Sequence, residues 1–296
     1  MIKRTIDISE QAYLHIKNSQ LCVDKQGKNV ASIAIEDLGI LILQHPAIVI
    51  TQSVITQCQK NNAAILFCDE RHLPISINLP LSGHSLHTKV LRDQISAKEP
   101  TRKRLWQQIV VHKIHQQAIT IEQAGRSPKF FYRLMDRVKS GDPDNYEAQA
   151  ARQYWRLLMG ENFRRNPYSD GANSLLNYGY TIFRAMAARA LVRTGLHPAL
   201  GLFHKNQYNG LCLADDVMEP FRPWVDWQVY QLIQRGINPA VTRETKEVML
   251  QMLGEDVLFD SRKTPLMVAA QSVAAKLKQA LIEKNQTLTY PHRISF

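Results

Sequence analysis

Cysteine is scarce in this sequence. Its four cysteines, Cys22, Cys58, Cys68 and Cys212, lie in 296 residues without a single CxxC pair. That argues against a zinc finger or a disulfide framework and predicts reduced core thiols in a cytoplasmic protein. Long apolar runs are missing too. The most apolar helical stretch is interrupted by Arg184, Arg189 and Arg193, so no membrane span is expected. The opening MIKRTIDIS has no apolar run behind its basic residues, which predicts no secretory signal. No Gly-x-x-x-x-Gly-Lys-Ser/Thr pattern occurs, and this speaks against NTP hydrolysis on a phosphate-binding loop.

Acidic residues are also in deficit. Against 37 Lys and Arg stand 26 Asp and Glu, a formal net charge of +11 and a pI near 9.5. Such an excess favours a polyanionic partner, usually nucleic acid. The window from Lys98 to Arg165 holds fourteen basic and seven acidic residues, so a net +7 of the +11 sits there. Phe130, Phe131, Tyr132, Tyr154, Trp155 and Phe163 are interleaved with it. Basic residues among aromatics suit backbone contact and base stacking, and Arg133, Arg137, Arg152, Arg164 and Arg165 are the candidate DNA contacts. A solvated face over an aromatic core fits the same pattern.

Two periodicities divide the chain. Residues 1–85 alternate with a period near two and predict a small β-rich domain for scaffolding or dimerisation. Tyr13–Ile16 and Gln20–Val23 flank Asn18-Ser19 as a hairpin. Val30–Ile35 and Leu38–Leu43 suggest a second strand pair, Ser53–Gln59 a small helix, and Ala64–Cys68 and Leu73–Leu79 further strands. From Pro100 the period becomes about 3.6, which with a boundary near residue 85 predicts a larger all-α domain over residues 86–296. The expectation is therefore an α+β chain of two domains. Helices are expected from Pro100, from Asp144, from Ser174 to Thr194, from Arg243 to Leu253 and from Leu266 to Lys284. The stretch from Ala124 to Tyr146 reads as a polar bridge. The end, NQTLTYPHRISF, reads as mobile.

The candidate chemistry lies in the helical part. Asp144 and Glu147 form a D-x-x-E pair that fits a capping box. Glu147 also shares a face with Ala150, Ala151, Tyr154 and Leu158, where an enclosed carboxylate needs a cation. Further on, LFHKNQYNGLCLADDVMEPFRPWVD holds His204, Asp215, Asp216 and Glu219. A spacing of three puts Asp216 and Glu219 on one face of a helical turn, though Asp216 also fits a cap. Carboxylates with one imidazole suit Mg²⁺ or Mn²⁺. Such an ion polarises a phosphoryl oxygen and activates an attacking hydroxyl. Arg222 stands beside this cluster as a phosphate contact.

Glu147 in YEAQAARQYW, the segment NSLLNYGY, His204 in LGLFHKNQYNGLCLADDVMEPFRP and Asp216-x-x-Glu219 together resemble the universal CRISPR-associated protein 1, the integrase subunit of CRISPR adaptation. The likeness runs the full length and looks closest to the form of single-effector, type II systems. It implies an N-terminal β domain joined to an α-helical catalytic domain. It also implies a homodimer, two of which flank a dimer of CRISPR-associated protein 2 in a heterohexameric complex, with the type II effector nuclease as a further partner. The resemblance makes Glu147, His204 and Glu219 the catalytic metal ligands, with Asp216 an accessory carboxylate and Mg²⁺ or Mn²⁺ the cofactor. The implied reaction is attack by the 3′-hydroxyl of a double-stranded DNA fragment on phosphodiesters at the repeat ends of a CRISPR array. A structure-specific metal-dependent nuclease is the alternative enzyme. A non-catalytic DNA-binding scaffold, with both acidic pairs acting as caps, is the alternative of another class.

Overall fold

The computed structural model describes residues 3–70, 72–81, 83–166, 168–283 and 287–294. The first part is built from β1 (Arg4–Ile8), β2 (Tyr13–Lys17), β3 (Gln20–Lys25), β4 (Lys28–Ala34), β5 (Leu38–Leu43), β6 (Val49–Ile50), α1 (Gln52–Lys60), β7 (Ala64–Cys68) and β8 (Pro74–Asn78). They form two four-stranded sheets, ordered β4-β3-β2-β6 and β1-β5-β7-β8. The expected hairpin is present: β2 and β3 pair antiparallel across Asn18 and Ser19, both at positive φ. Two successive left-handed residues match the twist of the flanking strands.

The second expected pair is corrected. β4 pairs with β3, whereas β5 runs parallel between β1 and β7 in the other sheet. A 3-10 turn at Ile35–Asp37 carries the chain from one sheet to the other. Burial explains the separation. β4 is mostly exposed, while all six residues of β5, LGILIL, are buried. A strand apolar at every position is covered on both faces, as parallel strands usually are. Ile40 and Ile42 face the helical core, and Leu41 and Leu43 face the core of the first part. β5 therefore sits in the wall between two cores.

The rest of the chain is mainly helical: α2 (His87–Ser96), α3 (Glu99–Gln123), α4 (Lys129–Met135), α5 (Tyr146–Met159), α6 (Ala172–Thr194), α7 (Cys212–Met218), α8 (Arg222–Gln234), α9 (Arg243–Gln251) and α10 (Leu266–Glu283). The α+β class, with a β-rich first part and a larger helical second part, is borne out. The last helix was expected to reach Lys284, which lies outside the described residues. α4 occupies part of the stretch read as a polar bridge. α6 is the central rod, buried over most of its 23 residues. Gly179 permits its close packing on α8, since a Cβ there would lie 2.4 Å from Val225 Cγ1.

A small sheet was missed. β9 (Asp256–Phe259) and β10 (Arg262–Pro265) form a hairpin over Asp260 and Ser261, both at positive φ, and β11 (His292–Arg293) pairs with the other edge of β9. The described part of the C-terminal segment is thus docked, which corrects its reading as mobile. Leu288 and Tyr290 are buried. His112 bonds the Leu288 carbonyl at 2.9 Å, Gln116 donates to the Pro291 carbonyl at 3.0 Å, and the Tyr290 hydroxyl donates to the Val217 carbonyl at 3.2 Å. Among the described residues, no helix is long and apolar enough to cross a membrane.

Candidate active site

Three separated elements converge on one buried charge cluster. α3 brings Lys113, the first turn of α5 brings Glu147, and a 3-10 turn at Glu219–Phe221 between α7 and α8 brings Glu219. The Lys113 ammonium donates to both carboxylates, reaching Glu219 Oε2 at 2.5 Å. Arg222 Nε donates to the other Glu219 oxygen at 2.8 Å. Lys113 and Glu219 are nearly closed to solvent, and Glu147 is about a quarter exposed. Burial opposes ionisation of Glu219. The Arg222 guanidinium and the Lys113 ammonium outweigh it and bring that carboxyl down to about 2. Burial likewise opposes charge on Lys113, but Glu219 and Glu147 raise its pKa above the ordinary lysine value.

The capping-box reading of Asp144 and Glu147 is corrected here. Asp142 accepts the backbone N–H groups of Tyr146 and Glu147, each at 2.9 Å, and the Asn145 side chain accepts that of Ala148. With the helix start satisfied by these two, the Glu147 side chain is free to face Lys113.

His204 is set by a different carboxylate. Asp216 is completely buried. It accepts the backbone N–H groups of Leu202 at 2.6 Å, Phe203 at 3.1 Å and His204 at 3.3 Å, and its Oδ1 lies 2.5 Å from His204 Nδ1. All of these contacts serve the His204 loop, so Asp216 positions the histidine, as outer carboxylates do for metal-ligating imidazoles. The ring is also edge-on to Trp106 at 5.7 Å, while Phe203 stacks flat on Trp106 at 4.4 Å. The Asp216 hydrogen bond raises the His204 pKa against the effect of burial, and the charge of Glu219 adds to it. With Nδ1 engaged and the side chain 42% exposed, Nε2 is the available nitrogen. The loop has no room to spare at Gly201, where a Cβ would lie 2.3 Å from the His204 carbonyl oxygen.

Beside the cluster opens a cavity of about 260 Å³ lined by Lys113, Tyr154, Arg165, Tyr180, Glu219, Arg222 and Asp226 among others. Arg222 and Arg165 lie over the Tyr180 ring at 4.6 and 5.2 Å. Asn173 and Asn177 hold the Arg165 guanidinium. The Tyr180 hydroxyl donates to Asp226, whose burial brings its carboxyl up to about 7. Two of the six candidate DNA-binding arginines, Arg165 and Arg222, are therefore at the site. Arg133, Arg137, Arg152 and Arg164 are exposed elsewhere on α4, α5 and the adjoining loops. Of the aromatics read as stacking partners, Phe131 and Tyr154 are core residues, and Phe130 and Tyr132 are exposed.

Lys113 and Asp226 were missed by the sequence reading. Lys113 had a legible signal: it lies three and four residues after Val110 and Ile109, on the apolar face of α3, where a lysine needs an acid. Among the described residues, no group of three or more His, Cys, Asp or Glu is arranged to hold a metal ion. The donor set nevertheless fits a hard cation, because two carboxylates from different helices already converge on a positive charge, that of Lys113.

Comparison with known proteins gives concordant results. The family model for CRISPR associated protein Cas1 matches residues 8–261. The CRISPR-associated endonuclease Cas1 of Neisseria meningitidis serogroup C (strain 8013) is 32% identical over 288 residues, 96% of this chain and 94% of its own. Among solved structures, a casposase bound to integration product shares the fold at a TM-score of 0.77 and 17% identity, over 97% of this chain and 92% of that one. A chain of a Cas6-RT-Cas1–Cas2 complex does so at a TM-score of 0.77 and 18% identity, over 99% of this chain and 36% of that one.

Proposed function

The chain belongs to the CRISPR associated protein Cas1 family, and from that membership we propose that it inserts short double-stranded DNA fragments into a CRISPR array. The reaction is a transesterification. The fragment's 3′-oxygen forms a new bond to phosphorus as the array strand's own bond from phosphorus to its 3′-oxygen breaks. The convergence of Glu147 and Glu219 on one cationic point is the observation that carries this reading, and the charge of Glu219 is felt at the Asp216-oriented His204.

Glu147, Glu219 and His204 would hold Mg²⁺ or Mn²⁺, which supplies Lewis-acid polarisation of the scissile phosphodiester. Asp216 keeps the imidazole in one orientation and one tautomer, with the proton on Nδ1. Arg222 holds Glu219 in place, and with Arg165 it presents two guanidiniums on one wall of the cavity, where a DNA phosphate gains paired, charge-assisted hydrogen bonds. The exposed arginines on α4 and α5 supply the longer, salt-sensitive backbone contacts.

We assign residues 1–85 to dimer formation and residues 86–296 to chemistry. The partners are a second copy of the chain, a dimer of the CRISPR-associated protein 2 type and double-stranded DNA, in a heterohexameric complex of a type II system. The Cas6-RT-Cas1–Cas2 complex of similar fold, in which Cas1 is found together with Cas2, supports the partner class. A locus encoding one large effector nuclease beside the array would support the system type.

The test is integration of a labelled duplex into supercoiled array DNA. E147A, H204A and E219A are each expected to abolish joined product. Undiminished joining in all three would sink the assignment, and cut product without joined product would favour the plain nuclease.

A further inference from the structure

A second basic cavity lies at the seam between the first sheets and the helices. It has a volume of about 450 Å³, and its wall includes Lys3, Glu36, Lys60, Arg189, Arg193 and Gln271. These residues come from different elements: the lead into β1, the turn before β5, the end of α1, one face of α6, and α10. Arg189 and Arg193 are four residues apart and so point from the same side of α6.

Four cations line this cavity against one carboxylate, and none of the four forms an ion pair among the described residues. Lys3 Nζ donates to the backbone carbonyl of Glu36, not to its side chain. Arg189 is only 2% exposed. Its Nε donates to the Asn62 carbonyl at 2.6 Å, while its Nη2 is buried with no hydrogen-bond partner. Burial and the two arginines press the Lys3 pKa down, and burial with Arg193 brings that of Arg189 to about 10. A buried guanidinium without a counter-charge is costly, and a multivalent oxyanion relieves that cost through several charge-assisted hydrogen bonds.

We propose that this cavity binds a small phosphate oxyanion, either free phosphate or the phosphate of a nucleoside monophosphate, held by Arg189, Arg193, Lys3 and Lys60. The site is separate from the Glu147–Glu219 cluster and shares no lining residue with its cavity. A bound anion would tie the start of β1 and the end of α1 to α6. α6 also carries Tyr180, on which Arg165 and Arg222 rest.

The experiment is calorimetric titration and thermal unfolding of the full chain at constant ionic strength. Inorganic phosphate and deoxyadenosine monophosphate are the ligands, with potassium chloride as the control. Saturable binding and a raised melting temperature are expected for phosphate and not for chloride. R193Q changes an exposed residue and so tests the site without threatening the core. It should bind about tenfold more weakly, as should R189Q where circular dichroism shows that it folds. R262Q, an exposed residue of β10 that lines neither cavity, should leave the affinity unchanged. Equal affinity for the two ligands assigns the site to the phosphate group alone, and tighter monophosphate binding assigns the remaining volume to the nucleoside. No binding above the chloride control, undiminished binding in R193Q, or loss of binding in R262Q overturns the proposal.

Discussion

Lys113 and Glu219, 106 positions apart in the chain, share a 2.5 Å ion pair that is almost closed to solvent. The same ammonium reaches Glu147, so one lysine neutralises the two carboxylates proposed to hold the divalent ion.

Replacing that lysine therefore exposes what the carboxylates prefer. K113M leaves two acids facing each other, and removing one partner of a buried pair costs about 3–5 kcal/mol. Urea unfolding in EDTA should show the loss. Because a cation that binds the native state stabilises it, Mn²⁺ should restore more stability to K113M than it adds to the wild type. Equal Mn²⁺ increments in the two proteins would place the ion elsewhere.

Asp216 has no surface and four donors. D216A removes the acceptor for three backbone amides and frees the imidazole to rotate. Loss of an orienting carboxylate is expected to lower strand joining about 10- to 100-fold while His204 remains in the chain. A loss below threefold, measured as joined product per unit time, counts against the positioning role.

Asp226 sets a pH dependence of stability. Burial raises its folded pKa from 3.8 to about 7. Between those values the folded state binds more protons than the unfolded state, so this group's stabilising contribution is full below about pH 4 and is lost as pH rises to about 7. D226N cannot titrate. Unfolding free energies at pH 4.5, 6.0 and 7.5 should fall less steeply in D226N than in the wild type. Parallel slopes would contradict the shift.

The docked C-terminal segment should be structural. Tyr290 is buried against Phe221, with ring centroids 5.4 Å apart, and its hydroxyl donates to the Val217 carbonyl. Y290A is expected to cost about 3–5 kcal/mol, the range for deleting a buried aromatic ring. A cost under 1 kcal/mol in urea unfolding would mean that the segment is only laid on the surface.

Local chemistry made much of this legible. The β2–β3 hairpin could be read because alternation and the Asn18-Ser19 turn agree. The fate of β5 could not, because a short link to β4 looks the same whether the next strand returns or crosses to another sheet. Its unbroken apolar run was the clue that both faces are covered. Glu147 was visible as an acid on a buried-looking face, yet Asp142 and Asn145, which free it from capping, flank Asp144, the residue that drew attention as the cap. Lys113 was hidden in a helix already rich in basic residues. Its partners lie 34 and 106 residues away, beyond any local pattern. The docked tail was hidden for the same reason, since its hydrogen-bond partners lie on α3 and α7.

The scatter of Lys113, Glu147 and Glu219 along the chain also bears on when the protein becomes dangerous to DNA. No contiguous fragment of modest length contains the whole cluster, and no single helix positions two of its members. A nascent or partly unfolded chain thus carries the basic surface that attracts DNA without the assembled acids that would cut it. Competence requires α3, α5 and the turn at Glu219 to be docked together, so folding itself acts as a safety catch.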